Sequence, residues 1–392
     1  MKKITIITLA FLLTILLFIS CGGEPTPRKT PVTGVMLNKD STTILEHEIE
    51  TLVATVLPEN ATNKNVTWKS SNDDIAKVDE NGKVTGVAVG EATITVTTED
   101  GGFTATCDVT VNLNANYIPL TFEALNDETE ISFSTITSAL KYTKTGSSPV
   151  TTPTVVAGPI TINKGETVSL YRTLTESPSS WLMIFCDKDC YVYGNVMSLY
   201  AENGFENLTT ISYQNAFRNL FCNNIYIKNH DSIDLVLPAT TLANSCYAGM
   251  FSGCTSLTTA PTLSATNLAY SCYHQMFSDC TSLETAPALP ATTLTTFCYS
   301  DMFNGCTSLT KAPDLPAATL TMFCYLGMFY NCTKLNSITC LATDISAVDC
   351  THSWVNGVAA SGTFTKAAGV DWGEKGVSRI PSGWTVQDYP TN

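Results

Sequence analysis

The residues with the widest chemical reach in this 392-residue chain are its 15 cysteines. Nine of them fall into two columns with a step of 26 residues: Cys246, Cys272, Cys298, Cys324 and Cys350, and Cys254, Cys280, Cys306 and Cys332. In the four repeats that hold both, the two cysteines lie eight positions apart, as Cys246 and Cys254 do in CYAGMFSGC. Disulfides, a metal array and buried thiols are the three chemistries such columns admit. If the intervening stretch is mostly helical, a rise of 1.5 Å per residue holds the two Cα atoms about 12 Å apart, beyond the ~7 Å a disulfide tolerates. Pairing between stacked coils is nearer, at about 4.8 Å, but ladder side chains point in parallel and stack rather than bond. The short C-x-x-C clamp of zinc sites is missing from the columns. Cysteine packs readily as a small buried hydrophobe. Buried thiol ladders are therefore expected ahead of disulfides, and disulfides ahead of metal. Cys186 and Cys190 enclose Asp187-Lys188-Asp189, and two readings stay open for them: a disulfide across a tight hairpin, or two half-buried thiols.

Other reactive groups are scattered. The four histidines, His47, His230, His274 and His352, are far apart in sequence. No serine sits in a G-x-S-x-G elbow. Asp73, Asp74, Asp79 and Glu80 match no calcium-loop spacing and read as solvated acids. Asp279, Asp301 and Asp314 vary across repeat positions, and His274 stands where other repeats have Ala248 and Ser300, so these read as exposed variants. No catalytic residue, cofactor or metal is expected, and the chain reads as a non-enzyme. A net charge of −14 repels phosphate backbones and argues against nucleic acid as a partner.

The elements that would position these residues begin with a leader. Lys2 and Lys3 precede ITIITLAFLLTILLFI, an apolar run of 16 residues, short for a membrane span. It ends in Ile19-Ser20-Cys21-Gly22, which resembles a bacterial lipoprotein signal with Phe18 in place of the usual leucine. That resemblance implies removal of residues 1–20, lipidation of Cys21 and an outer-membrane lipoprotein at the cell surface. An ordinary secretory signal or an uncleaved anchor are the alternatives. GGEPTPRKTP makes residues 21–31 a flexible linker.

Residues 32–113 alternate apolar and polar positions in short runs broken by turns, the pattern of a β-sandwich. Asn81-Gly82 marks a tight turn. The stretches Trp68 to Asn72, Ile75 to Val78, Gly82 to Gly86 and Gly90 to Val96 resemble the bacterial immunoglobulin-like domain, group 2. That likeness implies a surface spacer, with the tryptophan filling the core and the glycines setting turns. Residues 114–205 are β-like but less regular and read as a small connecting β-domain, with a hairpin signal at Asn163-Lys164-Gly165.

Residues 206–358 carry the repeats. Tyr247, Tyr273, Tyr299 and Tyr325 form one ladder, and Phe251, Phe277, Phe303 and Phe329 another, each preceded by methionine. Leu237, Leu263, Leu289 and Leu315 form a third, Leu242, Leu268, Leu294 and Leu320 a fourth, Leu257, Leu283, Leu309 and Leu335 a fifth. One coil cannot bury so many apolar side chains, whereas stacked coils place each on its counterpart. Upstream, SYQNAFRNL at 212–220 keeps the Tyr–Phe spacing; downstream, Trp354 and Val355 replace Met and Phe. MFxxCTSLxxAPxLPxxTL resembles the BspA-like leucine-rich repeat of bacterial surface proteins, with methionine for the usual alanine and Ala-Pro for the usual isoleucine. The proline removes a ladder donor, so the strand there is expected to be short or open. Residues 359–392 read as a C-terminal cap, with Trp372 and Trp384 over the last coil.

The expected fold is mainly β with short helices: an immunoglobulin-like sandwich, a small β-domain, then a leucine-rich-repeat solenoid of 26-residue coils. The repeat resemblance implies adhesion or protein–protein interaction, with host matrix or cell-surface proteins as partners. The candidate face is Thr292, Thr293, Thr295, Thr296 and Tyr270, although threonine is also an ordinary strand former. A glycan-binding accessory lipoprotein or a purely structural spacer are the alternatives.

Overall fold

The computed structural model describes residues 29–145 and 152–390, so the leader, Cys21 and most of the linker lie outside the described residues. The chain divides after Leu113 into two compact units.

The first unit holds strands β1 (Gly34–Leu37), β2 (Ser41–Leu45), β3 (Ile49–Thr51), β4 (Ala54–Leu57), β5 (Val66–Ser70), β6 (Ala76–Val78), β7 (Lys83–Gly86), β8 (Gly90–Thr98) and β9 (Thr104–Asn112). They pair as β2-β9-β8-β5, β3-β7-β6 and β1-β4. Strict alternation along β8 buries Ala92, Ile94, Val96 and Thr98. Trp68 does not fill the core but packs half-buried between two apolar clusters, one around Ile94 and Val109, the other around Val56 and Val96. Gly82 sits beneath it at φ +77°, where a Cβ would lie 2.7 Å from Cζ2 of the ring. In the turn before it, the Asp79 carboxylate accepts from the N–H of Asn81 and of Lys83, both at 2.9 Å. That acid holds its own turn.

The second unit begins with β10 (Leu120–Ala124), β11 (Thr129–Phe133), β12 (Lys141–Lys144), β13 (Thr154–Val155), β14 (Ile160–Ile162), β15 (Thr167–Tyr171), β16 (Ile184–Cys186), β17 (Cys190–Asn195), β18 (Ile227–Asn229) and β19 (Leu235–Val236). One sheet runs β13-β12-β15-β10-β17-β18, with β19 also on β17, and a second runs β14-β11-β16. Asn163-Lys164-Gly165 therefore closes no hairpin: β14 and β15 belong to different sheets, and the turn is a corner. Residues 186–190 make a second such corner. One continuous core runs from Leu120 to Trp384, so the β-rich segment and the repeats share an interior.

Successive repeats lie on one another. Tyr247, Tyr273, Tyr299 and Tyr325 stack with ring centroids 5.8–6.2 Å apart, and Phe251, Phe277, Phe303 and Phe329 at 5.4–5.8 Å. All eight rings are buried. Upstream the register differs from the sequence reading by four residues: Phe217, not Tyr213, continues the tyrosine column under Tyr247, and Phe221 continues the phenylalanine column under Phe251. Downstream Trp354 lies against both Tyr325 and Phe329.

The coils contain no helix. The helical elements among the described residues are three short 3₁₀ turns, Ala115–Tyr117, Val196–Leu199 and Phe205–Asn207. CYAGMFSGC is a run of linked β-turns. The N–H groups of Cys246, Ala248, Met250, Ser252 and Cys254 each close onto the carbonyl three residues back, at 3.0–3.3 Å. Those of Ser245, Tyr247, Gly249, Phe251 and Gly253 each donate to the next coil, at 2.7–3.1 Å. Alternate residues thus satisfy their donors within the coil and between coils, which answers the need to pair every buried backbone group. Every fourth residue takes a left-handed φ, as at Ser245, Gly249 and Gly253.

On the opposite side of the coils, pairing is confined to isolated parallel bridges such as Thr241↔Asn267, Asn267↔Thr293 and Thr259↔Thr285. Regular strands return only after the Ala-Pro pairs end: β20 (Ser337–Cys340), β21 (Thr363–Lys366) and β22 (Thr385–Asp388) form a parallel sheet. Ile338-Thr339 stand where earlier coils have Ala-Pro, and the N–H that proline lacks is restored to the ladder. Trp372 stacks on Trp354 at 5.7 Å, and the buried Trp384 donates from Nε1 to the Ala359 carbonyl at 2.7 Å.

Candidate functional site

The site is built from the last residues before each coil's first cysteine. Ser245, Ser271, Phe297, Phe323 and Asp349 occupy equivalent places, all with φ between +48° and +58°. The coil-to-coil bonds impose that left-handed turn whatever side chain it carries. Serine and aspartate accept it at modest cost; a bulky ring there is strained by roughly 1–3 kcal/mol. Packing of the interior does not demand the rings, because the neighbouring coils manage with serine. Their use is on the surface.

The preceding column holds Tyr270, Thr296, Met322 and Val348. Tyr270 is 49% exposed, Met322 42% and Val348 61%. Tyr270 meets Phe297 edge to face at 5.9 Å, and Phe297 stacks on Phe323 at 4.6 Å with planes 13° apart. The two columns make a stripe of half-exposed rings and apolar side chains across four coils. At about 4.8 Å per coil it runs roughly 15 Å. Its far end is the acid Asp349, exposed beside His352.

The threonines proposed from sequence divide. Thr292 and Thr293 are exposed, and Thr293 forms the bridge to Asn267 through its backbone. Thr295 is half-buried and its hydroxyl donates to the Ala269 carbonyl at 2.8 Å, so it is committed within the stack. Thr296 is half-buried between Tyr270 and Met322 in the stripe. Cys21 lies outside the described residues. Sequence reasoning missed Phe297, Phe323, Met322 and Val348. Their signal was visible: SCY, SCY, FCY, FCY in successive repeats.

The cysteine columns are interior. All fourteen cysteines of the described residues are unbonded thiols. Cys254, Cys280, Cys306 and Cys332 each donate from Sγ to a phenylalanine carbonyl of the preceding coil, at 3.0–3.1 Å. Burial pushes Cys246, Cys280, Cys298 and Cys332 up to about 12, far from a thiolate. Cys186 and Cys190 are both buried; contact with the Cys186 thiol, and then burial, hold Cys190 well above the ordinary range. Among the described residues no three of His, Cys, Asp or Glu converge as metal ligands.

His274 is half-buried rather than exposed, with Nδ1 sealed from water and lacking a hydrogen-bond partner. Asp279 and Asp301 hold left-handed turns, as Gly305 and Gly327 do one coil later. Their variation therefore follows backbone geometry.

Residues 31–109 match the family described as bacterial Ig-like domain (group 2). An uncharacterised protein of Clostridium acetobutylicum is 49% identical over 80 residues, 20% of this chain and 20% of that protein. An alpha-L-arabinofuranosidase of Bifidobacterium longum is 51% identical over 87 residues, 22% of this chain and 8% of the enzyme. An Ig-like virion protein of Serratia phage KSP90 is 48% identical over 82 residues, 21% of this chain and 32% of its own. The chain thus spans a third or less of each of these relatives. The first module is a bacterial immunoglobulin-like domain; a module common to a glycosidase and a virion protein carries no single activity.

Proposed function

We propose that this chain, with its bacterial immunoglobulin-like domain, is a non-enzymatic surface protein that binds a protein partner through the stripe Tyr270, Phe297, Thr296, Phe323, Met322 and Val348. In this reading the stacked coils are a leucine-rich-repeat solenoid of the BspA-like kind. Cys21 carries the lipid that tethers the chain to the outer membrane, and the immunoglobulin-like module spaces the repeats from it. The partner is a host matrix or cell-surface protein. One observation carries the reading: two phenylalanines occupy left-handed turns where serine serves elsewhere, and they stack into an exposed apolar stripe. Aromatic and methionine side chains on a rigid backbone anchor partners with little loss of side-chain freedom.

The test replaces Phe297 and Phe323 by serine, the residue at 245 and 271, together with Tyr270 by asparagine, the residue at 244. Retention on immobilised host matrix proteins should fall at least about tenfold, the loss expected for removing a hot-spot cluster, with the far-UV spectrum unchanged. Equal retention by the folded triple variant refutes the stripe. The exposed ring of Tyr270 supports a second reading, stacking on a sugar ring. Glycan-array binding that disappears in Tyr270→Ala, alongside no retention on proteins, favours that alternative.

A further inference from the structure

Arg172 follows β15 and is 7% exposed. Its backbone N–H donates to the Ser198 carbonyl at 2.8 Å. Its Nε donates to the Leu199 carbonyl at 3.0 Å and its Nη2 to the Ala216 carbonyl at 3.3 Å. A guanidinium has five N–H donors, and among the described residues only two of them have partners. Ion pairs among the described residues join carboxylates to lysine or histidine, and none takes Arg172. Burial lowers its pKa to about 10, with no neighbouring acid opposing the shift. A buried cation without a counter-charge is unfavourable by several kcal/mol.

Arg172 lines a hollow of about 270 Å³, together with Thr137, Thr173, Ser179 and Ser180 on its polar side and Leu140 and Leu182 on its apolar side. Exposed Glu176 lines it too. The tether to Leu199 and Ala216 accounts for two donors only, and a lysine or an amide would serve for that. A buried arginine with donors to spare, set in the wall of a hydroxyl-rich hollow, matches one kind of group.

We infer that this hollow binds a carboxylate, held by the free edge of the Arg172 guanidinium, on a ligand about the size of a monosaccharide or a dipeptide. The carboxylate belongs to an acidic sugar or to a peptide C-terminus. No residue of the apolar stripe takes part, so failure of either proposal leaves the other standing.

The full chain is titrated calorimetrically with D-glucuronate and with N-acetylglycylglycine at constant ionic strength, against chloride and against the amidated peptide. Saturable binding of at least one carboxylate, absent for the amide, is the expected result. Binding of glucuronate alone assigns the sugar source, and binding of the peptide alone assigns the terminus. Arg172→Lys keeps the charge and removes the fork; it should weaken binding at least about tenfold, the usual worth of charged hydrogen bonds. Ser179→Trp, at the exposed rim, should block entry even if Arg172→Lys fails to fold, and Glu176→Gln should tighten binding severalfold. No binding by wild type, or undiminished binding by folded Ser179→Trp, overturns the proposal.

Discussion

A single side chain decides more in a stacked repeat than in an irregular core, because its neighbours are its own counterparts. His274 shares a column with Arg218, Ala248 and Ser300. Burial lowers its pKa, against a smaller opposing pull from Asp301, and Arg218 adds to the lowering. The unfolded chain therefore binds a proton first. Stability from this residue is intact above the unfolded value of about 6.5 and declines as pH falls below it. We expect His274→Ser, the residue of the next coil, to lose less stability than wild type between pH 7.5 and 5.5. Urea unfolding at both values measures it; an identical loss in the two proteins counts against the burial argument. The thiol ladders were legible from sequence because the cysteines recur in register with the tyrosine and phenylalanine columns and lack the C-x-x-C clamp of a metal site, whereas the helical spacing used against a disulfide does not hold in a run of turns. The stripe was missed because the change from SCY to FCY gains its meaning only once the left-handed column that presents Phe297 and Phe323 is known.

The coil is the element where sequence reasoning went astray. A helix through CYAGMFSGC was the premise of the cysteine spacing, yet its donors alternate between its own carbonyls and those of the next coil. The clue lay in one column: Asn223, Gly253, Asp279, Gly305, Asn331 and Gly357. Each takes φ between +58° and +79°, which favours glycine, asparagine and aspartate. They also alternate for a steric reason. The Asp279 Oδ1 would lie 2.2 Å from a Cβ on Gly305, the Asn223 Oδ1 2.5 Å from one on Gly253, and the Asn331 Oδ1 2.6 Å from one on Gly357. In this column a side chain on one coil thus leaves room for glycine on the next. Gly305→Ala should destabilise by about 2 kcal/mol through strain and collision together, and pairing it with Asp279→Gly should recover about half. Chemical unfolding of the single and double variants checks this. A single variant as stable as wild type removes the alternation rule.

For the second unit as a whole, the sequence revealed the 26-residue period and the capping tryptophans, but not that residues 114–205 share the repeats' core, since irregular strands leave no period to read. The period itself makes a demand on the entire stack. If each coil contacts only its neighbours, a coil is removable provided the columns close in register. Excising residues 255–280 joins Cys254 to Thr281 and restores the CTSL junction, while bringing Gly253 beside Gly305. Excising residues 281–306 restores the same junction at Cys280 and Thr307, but brings Asp279 beside Asn331, where a Cβ takes the place of Gly305's hydrogen. Both proteins lose 26 residues, one tyrosine, one phenylalanine and one methionine from the core columns. Counting buried area alone, they should be equally stable. The alternation instead ranks the first above the second by about 1–3 kcal/mol, the range for a strained backbone site or an uncomfortable buried contact. Thermal melts of the two excised chains decide it: folded proteins with the first melting higher mean that registered coils, each read against the next, hold this unit together, whereas loss of structure in both would mean that it folds only as an indivisible whole.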